Sequence, residues 1–221
     1  MSTNPSYTGA RPELLELMRE PWERALDVGC AEGAVGAALK DSNPRGEVTG
    51  IELDAAMAAT ARTRLDDVLE VDAQTALDDL AATGRTFELV CCGDVLEHLV
   101  DPWSALRSIR RLCPRGRVVV SLPNVGHWTT LWSVAVLGVW PYRDRGIHDR
   151  THLRFFARNN LADLFARSGF ALREVRRVHR LFETPGKLSR VLGRWLGWLP
   201  LLGRFTTYQF LCVAEPREPF E

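Results

Sequence analysis

The 221-residue chain lacks the signals that mark several functional classes. Its five cysteines, Cys30, Cys91, Cys92, Cys113 and Cys212, form no CxxC pair and are odd in number. That excludes a sequence-legible zinc or disulfide framework and reads instead as small buried hydrophobes in a reducing cytoplasm. Charge of one sign is not in excess, with 28 Lys plus Arg against 28 Asp plus Glu. A nucleic-acid partner, which draws its affinity from phosphate contacts, is not expected. No apolar run is long enough for a bilayer span. The longest, Val118 to Trp140, is interrupted by Pro123, Asn124, Gly126 and His127 and is followed at once by Pro141. The stretch MSTNPSYTGARPELLELM lacks the basic-then-apolar order of a signal peptide. No internal repeat or low-complexity segment is visible.

What remains is ordinary globular composition, 46% hydrophobic and 25% charged, enough to bury a sizeable core. Short apolar strands are expected at Arg24–Val28, Val48–Leu53, Val68–Val71, Phe87–Cys92 and Arg117–Leu122. Helical segments fall between them at Ala34–Lys40, Ala55–Arg64, Thr75–Ala82 and Pro102–Leu112, the last with Asp101 as N-cap. A short helix over Pro12–Glu20 precedes the first strand. Alternation of this kind implies a parallel sheet covered on both faces by helices. The rhythm breaks over residues 124–157, then returns with a helix at Asn159–Ser168 and strands at Phe170–Val178 and Thr206–Val213. The expectation is one domain, 1–221, with insertions at about 124–157 and 181–205 that cover a substrate.

Chemistry concentrates at the strand ends. Asp27-Val28-Gly29-Cys30-Ala31-Glu32-Gly33 is a strand feeding a glycine turn feeding a helix, a place where backbone approaches a ligand closely. It lies at the carboxyl edge, where doubly wound sheets bind ligands. Glu52, 23 residues after Gly29 and followed by Leu53, stands where a carboxylate accepts from two ribose hydroxyls; the plainer alternative is a solvated acid at a strand end. Asp72, before Ala73, is either an acceptor for an adenine amino group or a helix N-cap. Gly93 and Asp94 face the same crevice after the fourth strand. A dinucleotide is not expected, because Gly29, Gly33 and Gly36 provide no G-x-G.

Taken in order, LDVGCAEG, GIELD, EVDA, ELVCCGDVLEHLVDP and RLCPRGRVVVSLPN resemble the class I S-adenosylmethionine-dependent methyltransferases over roughly residues 20–124. The resemblance implies a doubly wound, mainly parallel seven-stranded sheet of order 3-2-1-4-5-7-6 with a lid insertion after strand 5. It implies S-adenosylmethionine as cofactor, held by Asp27, Gly29, Cys30, Ala31, Gly33, Glu52, Leu53, Asp72, Ala73, Gly93 and Asp94. One departure is Ala31, where the family usually carries Gly. SLPNVGHW is similar to the methionine-biosynthesis MetW group, and GVWPYRDRGIHDRTHLRFF to methyltransferases of sugar and natural-product clusters. The implied reaction is methyl transfer to a small polar acceptor, at oxygen, with nitrogen or carbon transfer and a silent MetW-type regulator as alternatives.

An acceptor that loses a proton is helped by a base that is neutral near pH 7. His127, His148 and His152 fall in the insertion after the fifth strand and are the candidates; His98, in the EHL stretch, reads first as a helix-start residue. His148-Asp149-x-x-His152 resembles ligand spacing, but no supporting Cys or Glu motif accompanies it, so no metal is expected. Trp128, Trp132 and Trp140 are expected to pack the lid. Arg143, Arg145, Arg150 and Arg154 either hold an anionic group of the acceptor or form a solvated loop. Over Lys187–Phe205, Leu188, Val191, Leu192, Trp195, Leu196 and Leu199 recur at helical spacing, with Arg190 and Arg194 between them. This segment is expected as a lid or a homodimer face, with no stable insertion into a membrane.

Overall fold

The computed structural model describes residues 9–183, 186–199 and 202–217. Residues 184–185 and 200–201 of the second expected insertion lie outside them. One sheet of seven strands has the order β3-β2-β1-β4-β5-β7-β6, as the resemblance implies. Strands β1 (Arg24–Val28), β2 (Glu47–Glu52), β3 (Asp67–Glu70), β4 (Leu89–Gly93) and β5 (Arg117–Pro123) are parallel. β7 (Thr207–Pro216) inserts antiparallel between β5 and β6 (Phe170–His179). The order reverses between β1 and β4, which opens a crevice at their carboxyl ends.

The helices are α1 (Pro12–Leu15), continued by a 3-10 turn to Met18, α2 (Ala34–Ser42), α3 (Ala55–Ala61), α4 (Ala73–Thr83) and α5 (Pro102–Leu112). After β5 come α6 (Trp128–Ala135) and α7 (Asn160–Arg167), and between β6 and β7 lie α8 (Lys187–Gly197) and α9 (Leu202–Thr206). Strand β1 shows how the pleat divides the core. Leu26 and Val28 join Leu106, Ile109 and Leu112 of α5 on one face. Ala25 faces the other way, toward Leu14, Met18, Leu39 and Ala58. Each large apolar side chain so buried contributes about 1.5–3 kcal/mol. The outer strands protect the edges: β3 is only four residues long, and β6 carries exposed Arg173, Glu174, Arg176 and Arg177. All five cysteines are free and buried. Among the described residues, no helix is long and apolar enough to cross a membrane.

One segment differs from the sequence expectation, and in another the structure adds which side faces the protein. Residues 128–135, expected as irregular, form α6, capped by the His127 side chain. In α8 the helical periodicity is present but its apolar face points outward. Trp195 is 79% and Leu188 71% exposed, while Ser189 and Gly193 face the protein. The reason is proximity: a Cβ at Gly193 would lie 2.6 Å from the Arg180 carbonyl carbon, and one at Gly197 2.7 Å from His179 Nδ1. Only the small-residue face fits against β6.

Candidate active site

The cofactor end is built at the tips of β1, β2 and β3. Gly29 has φ +68°, and a Cβ there would come within 2.6 Å of Val95 Cγ2, so glycine is required twice over. The Cys30 amide donates to the Ile51 carbonyl at 3.0 Å and ties the turn to β2. Gly33, at φ +78°, is the N-cap of α2. Between them Ala31 adopts φ +48°, a left-handed conformation that costs a Cβ-bearing residue about 1–2 kcal/mol. Glu52 fixes this strained turn: Oε2 accepts from the Ala31 amide at 2.8 Å, and Oε1 from the Asp54 amide at 2.9 Å. Leu53 beside it is exposed. Asp72 caps α4, its Oδ1 accepting from the Gln74 and Thr75 amides at 2.9 and 3.2 Å, and Ala73 is the first residue of that helix.

Asp27 lies beneath the turn and is buried. Burial pushes its carboxyl up to about 7, against the pull of the Gly36 amide and Arg11. Its Oδ2 has no hydrogen-bond partner among the described residues. A buried carboxylate oxygen left without a donor beside a glycine turn fits a cationic group, which the α-ammonium of S-adenosylmethionine supplies.

Beside the glycine turn lies a cavity of about 660 Å³ over β4, β5 and β7. Asp94 stands at its edge with φ +60°. Its carboxylate pairs with Arg11 Nη1 at 2.9 Å and accepts from Ser121 Oγ at 2.7 Å and Gln209 Nε2 at 2.5 Å. Gly93 precedes it, and a Cβ there would meet Arg11 Nη1 at 3.2 Å. Deeper in, Glu97, His98 and His152 converge. The rings of His98 and His152 meet edge to face at 4.7 Å, and His152 Nε2 lies 4.0 Å from Glu97 Oε1. Burial, and the charge His98 carries when protonated, hold the His152 imidazole below its ordinary pKa against the pull of Asp149.

Residues 7–175 match the family model described as a methyltransferase domain. The chain belongs to that family. The chain is 30% identical over 189 residues to a ubiquinone biosynthesis O-methyltransferase of Azoarcus sp. (strain BH72), covering 79% of each chain. It is 29% identical over 164 residues to the protein of that name from Aeromonas salmonicida (strain A449), covering 71% of this chain and 66% of the relative. The chain thus spans just under two thirds of the length of that relative. A solved S-adenosylmethionine-dependent methyltransferase from Archaeoglobus fulgidus superposes with a TM-score of 0.62 at 18% identity, covering 94% of both chains. The family is that of the methyltransferase domain, and the fold is the class I methyltransferase fold.

Within the methyltransferase the three candidate histidines have separate places. His127 is fully buried. Its Nδ1 meets the Thr129 hydroxyl at 2.8 Å and accepts from the Thr129 amide at 3.3 Å, and its Nε2 meets the Arg180 carbonyl at 2.9 Å. His148 is equally buried, with Nε2 at 2.9 Å from Thr130 Oγ1 and Nδ1 at 2.9 Å from Glu183 Oε1. Neither lines the cavity; His152 does, and so does His98. Burial pushes Glu183 up, but the hydrogen bond and charge of His148, with Arg143, hold it below the ordinary carboxylate range. Of the arginine cluster, Arg143 and Arg145 line the cavity. Arg150 pairs with Asp144, and Arg154 donates to the Val100 carbonyl. Trp128 packs on Phe182 and Trp140 on His148 and Phe155, whereas Trp132 is half exposed.

The sequence reading overlooked Arg11, Glu97, Glu183, Tyr208 and Gln209, all of which line the cavity. Glu97 stands in the quoted EHL stretch, but nothing in its spacing signals burial. Glu183 reaches His148 across 35 residues, a contact that no local pattern encodes. None of the described residues of α8 lines the cavity.

Proposed function

We propose that the protein transfers the methyl group of S-adenosylmethionine to an oxygen of a small polar acceptor, a sugar or natural-product intermediate, held in the cavity over β4 and β5. The carrying observation is the pair His98 and His152 inside that cavity, with His152 kept neutral near pH 7 and so able to accept a hydroxyl proton. His127 and His148 support the same insertion from behind. Arg143 and Arg145 give the acceptor's polar or anionic part a partner. The names of the relatives support transfer to oxygen and add hydroxylated intermediates of ubiquinone biosynthesis to the acceptors worth testing. The cofactor is read as gripped by Asp27, Gly29, Cys30, Ala31, Gly33, Glu52, Leu53, Asp72, Ala73, Gly93 and Asp94. Five free buried cysteines support a reducing compartment, the cytoplasm. The outward apolar face of α8 supports a homodimer, which sedimentation equilibrium tests directly.

The functional test is transfer of labelled methyl to panels of hydroxylated sugars, phenols and amines, with the product bond assigned by NMR. Products methylated at oxygen are expected. Products methylated only at nitrogen or carbon remove the oxygen assignment. Cofactor binding with no transfer to any panel places the chain with silent MetW-type regulators.

A further inference from the structure

The lining of the acceptor cavity holds an arrangement that proton transfer alone does not account for. Glu97 is 1% exposed, and neither of its carboxylate oxygens has a hydrogen-bond partner among the described residues. A buried carboxylate left this way is costly unless a cation or a proton meets it. Two imidazoles face it, and their tautomers follow from what lies behind them. His152 Nδ1 is 3.2 Å from the Ile147 carbonyl, which only accepts, so that nitrogen carries the proton. The Thr151 hydroxyl donates to Asp149 Oδ1 at 2.6 Å. At 3.1 Å from His98 Nδ1 it therefore acts as acceptor there, and that nitrogen is protonated too. Both Nε2 atoms are left with lone pairs. A carbonyl and a hydroxyl behind two imidazoles is the outer-shell support that orients histidine ligands. Donor atoms of Glu97, His98 and His152 all lie within 4.8 Å of one another.

We propose that Glu97, His98 and His152 bind a divalent transition-metal cation, Zn²⁺ or Mn²⁺, on the acceptor side of the crevice, leaving coordination positions open to an acceptor oxygen. Two imidazoles and one carboxylate select this class over Mg²⁺ or Ca²⁺, which take all-oxygen shells. Ligand distances of about 2.0–2.2 Å bring donors to roughly 3–3.5 Å apart, so the three side chains close by about an ångström around the ion. A cation there supplies the positive charge that the buried, unpartnered Glu97 carboxylate lacks.

The inference rests on the acceptor cavity described above and changes the task of His152 from proton acceptor to ligand. A hydroxyl bound at an open position loses its proton to water at the cavity mouth, as metal-bound oxygens do more readily than free ones. The resulting oxygen anion forms the new O–C bond as the C–S⁺ bond breaks. The electron pair of that bond stays on sulfur, leaving the neutral thioether.

The test uses the full chain stripped by chelator, then titrated with MnCl2 followed by loss of the free Mn²⁺ electron spin resonance signal, and with ZnCl2 against a chromophoric chelator. One site per chain is expected. Glu97→Gln and His152→Asn should each weaken binding at least tenfold while leaving S-adenosylmethionine affinity within about twofold, in line with the cost of losing metal-site groups. His98→Asn, at a less buried position, gives the same comparison if Glu97→Gln does not fold. MgCl2 should bind at least tenfold more weakly. Absence of stoichiometric Mn²⁺ or Zn²⁺ binding, unchanged affinity in folded variants, or Mg²⁺ binding as tightly as Zn²⁺ overturns the proposal. Binding is read without turnover: a chain that binds the cation but methylates nothing sinks the oxygen-transfer reading alone. Full transfer by a chelated chain that binds no cation sinks only this one.

Discussion

Among the described residues, three carry positive φ without being glycine, and two of them, Ala31 and Asp94, stand at the tips of β1 and β4. Strain at such sites persists because the surroundings over-determine it. For Ala31 the determinants are the Glu52 carboxylate and the flanking Gly29 and Gly33 turns. Ala31→Gly should therefore stabilise the apo-protein by about 1 kcal/mol, read as a higher Tm; an unchanged or lower Tm means the left-handed turn is not held in solution. Asp27 gives a pH signature. Its folded pKa is raised to about 7, so the folded state binds this proton more tightly than the unfolded chain. The stability it lends is present below the unfolded value of about 3.9 and is lost as pH rises through the window to about 7. Asp27→Asn keeps the neutral form, and should gain about 2 kcal/mol on the wild type between about pH 5 and pH 8. Parallel denaturation curves for the two proteins across that range would remove Asp27 as the titrating group. The glycine turn was legible in sequence because left-handed φ and close approach restrict residue type. The strain at Ala31 and the lone oxygen of Asp27 were not, since both depend on neighbours from other elements.

At the scale of elements, boundaries set by local chemistry were readable. β1 and α5 match their expected ranges because Gly29 ends one and Asp101-Pro102 begins the other. α6 was missed because its sequence, WTTLWSVA, is rich in β-branched and aromatic residues and shows no one-sided pattern. Its start depends on an imidazole cap, held in turn by the Arg180 carbonyl from the end of β6. This makes His127 a joint between elements. His127→Ala should cost about 2–3 kcal/mol of stability, the combined loss of a cap and of a partner for a buried carbonyl. Equal Tm values for variant and wild type contradict that role. In α8 the periodicity was legible but the side that meets the protein was not, because it is set by the close approach of Gly193 and Gly197 to Arg180 and His179. Gly193→Ala should separate α8 from the Arg180 backbone, with a Cβ contact of 2.6 Å to relieve, and lower stability by about 1–3 kcal/mol. Trp198→Ser, on the exposed face, should stay within about 0.5 kcal/mol.

Across the whole molecule, the crevice has two ends built by different parts of the chain. Glu52, Asp72 and the glycine turn come from the first three strand ends, all placed by short local motifs. His98, Glu97, Gln209 and His152 come from the stretch after β4, the last strand and the insertion; the Leu153 and Arg154 amides donate to the Glu97 carbonyl, and β7 brings Gln209 in by its antiparallel return between β5 and β6. That is why the sequence offers candidates for the cofactor end residue by residue, and for the acceptor end only a region. It also means that the two functions should separate in variants. Glu52→Ala removes the acceptor for two backbone amides and the carboxylate proposed to meet the ribose. It should weaken S-adenosylmethionine binding by about 1–3 kcal/mol in calorimetry. His152→Ala touches neither the glycine turn nor the tip of β2. It should leave cofactor affinity within about twofold while depressing turnover about 10²–10⁴-fold, the range expected for loss of a group that acts on the acceptor proton. His148→Ala, behind the cavity wall, should instead act through stability, with turnover recovering at lower temperature. If His152→Ala weakens the cofactor as much as Glu52→Ala does, the crevice is one coupled site, and its two ends are not independent in the way their construction implies.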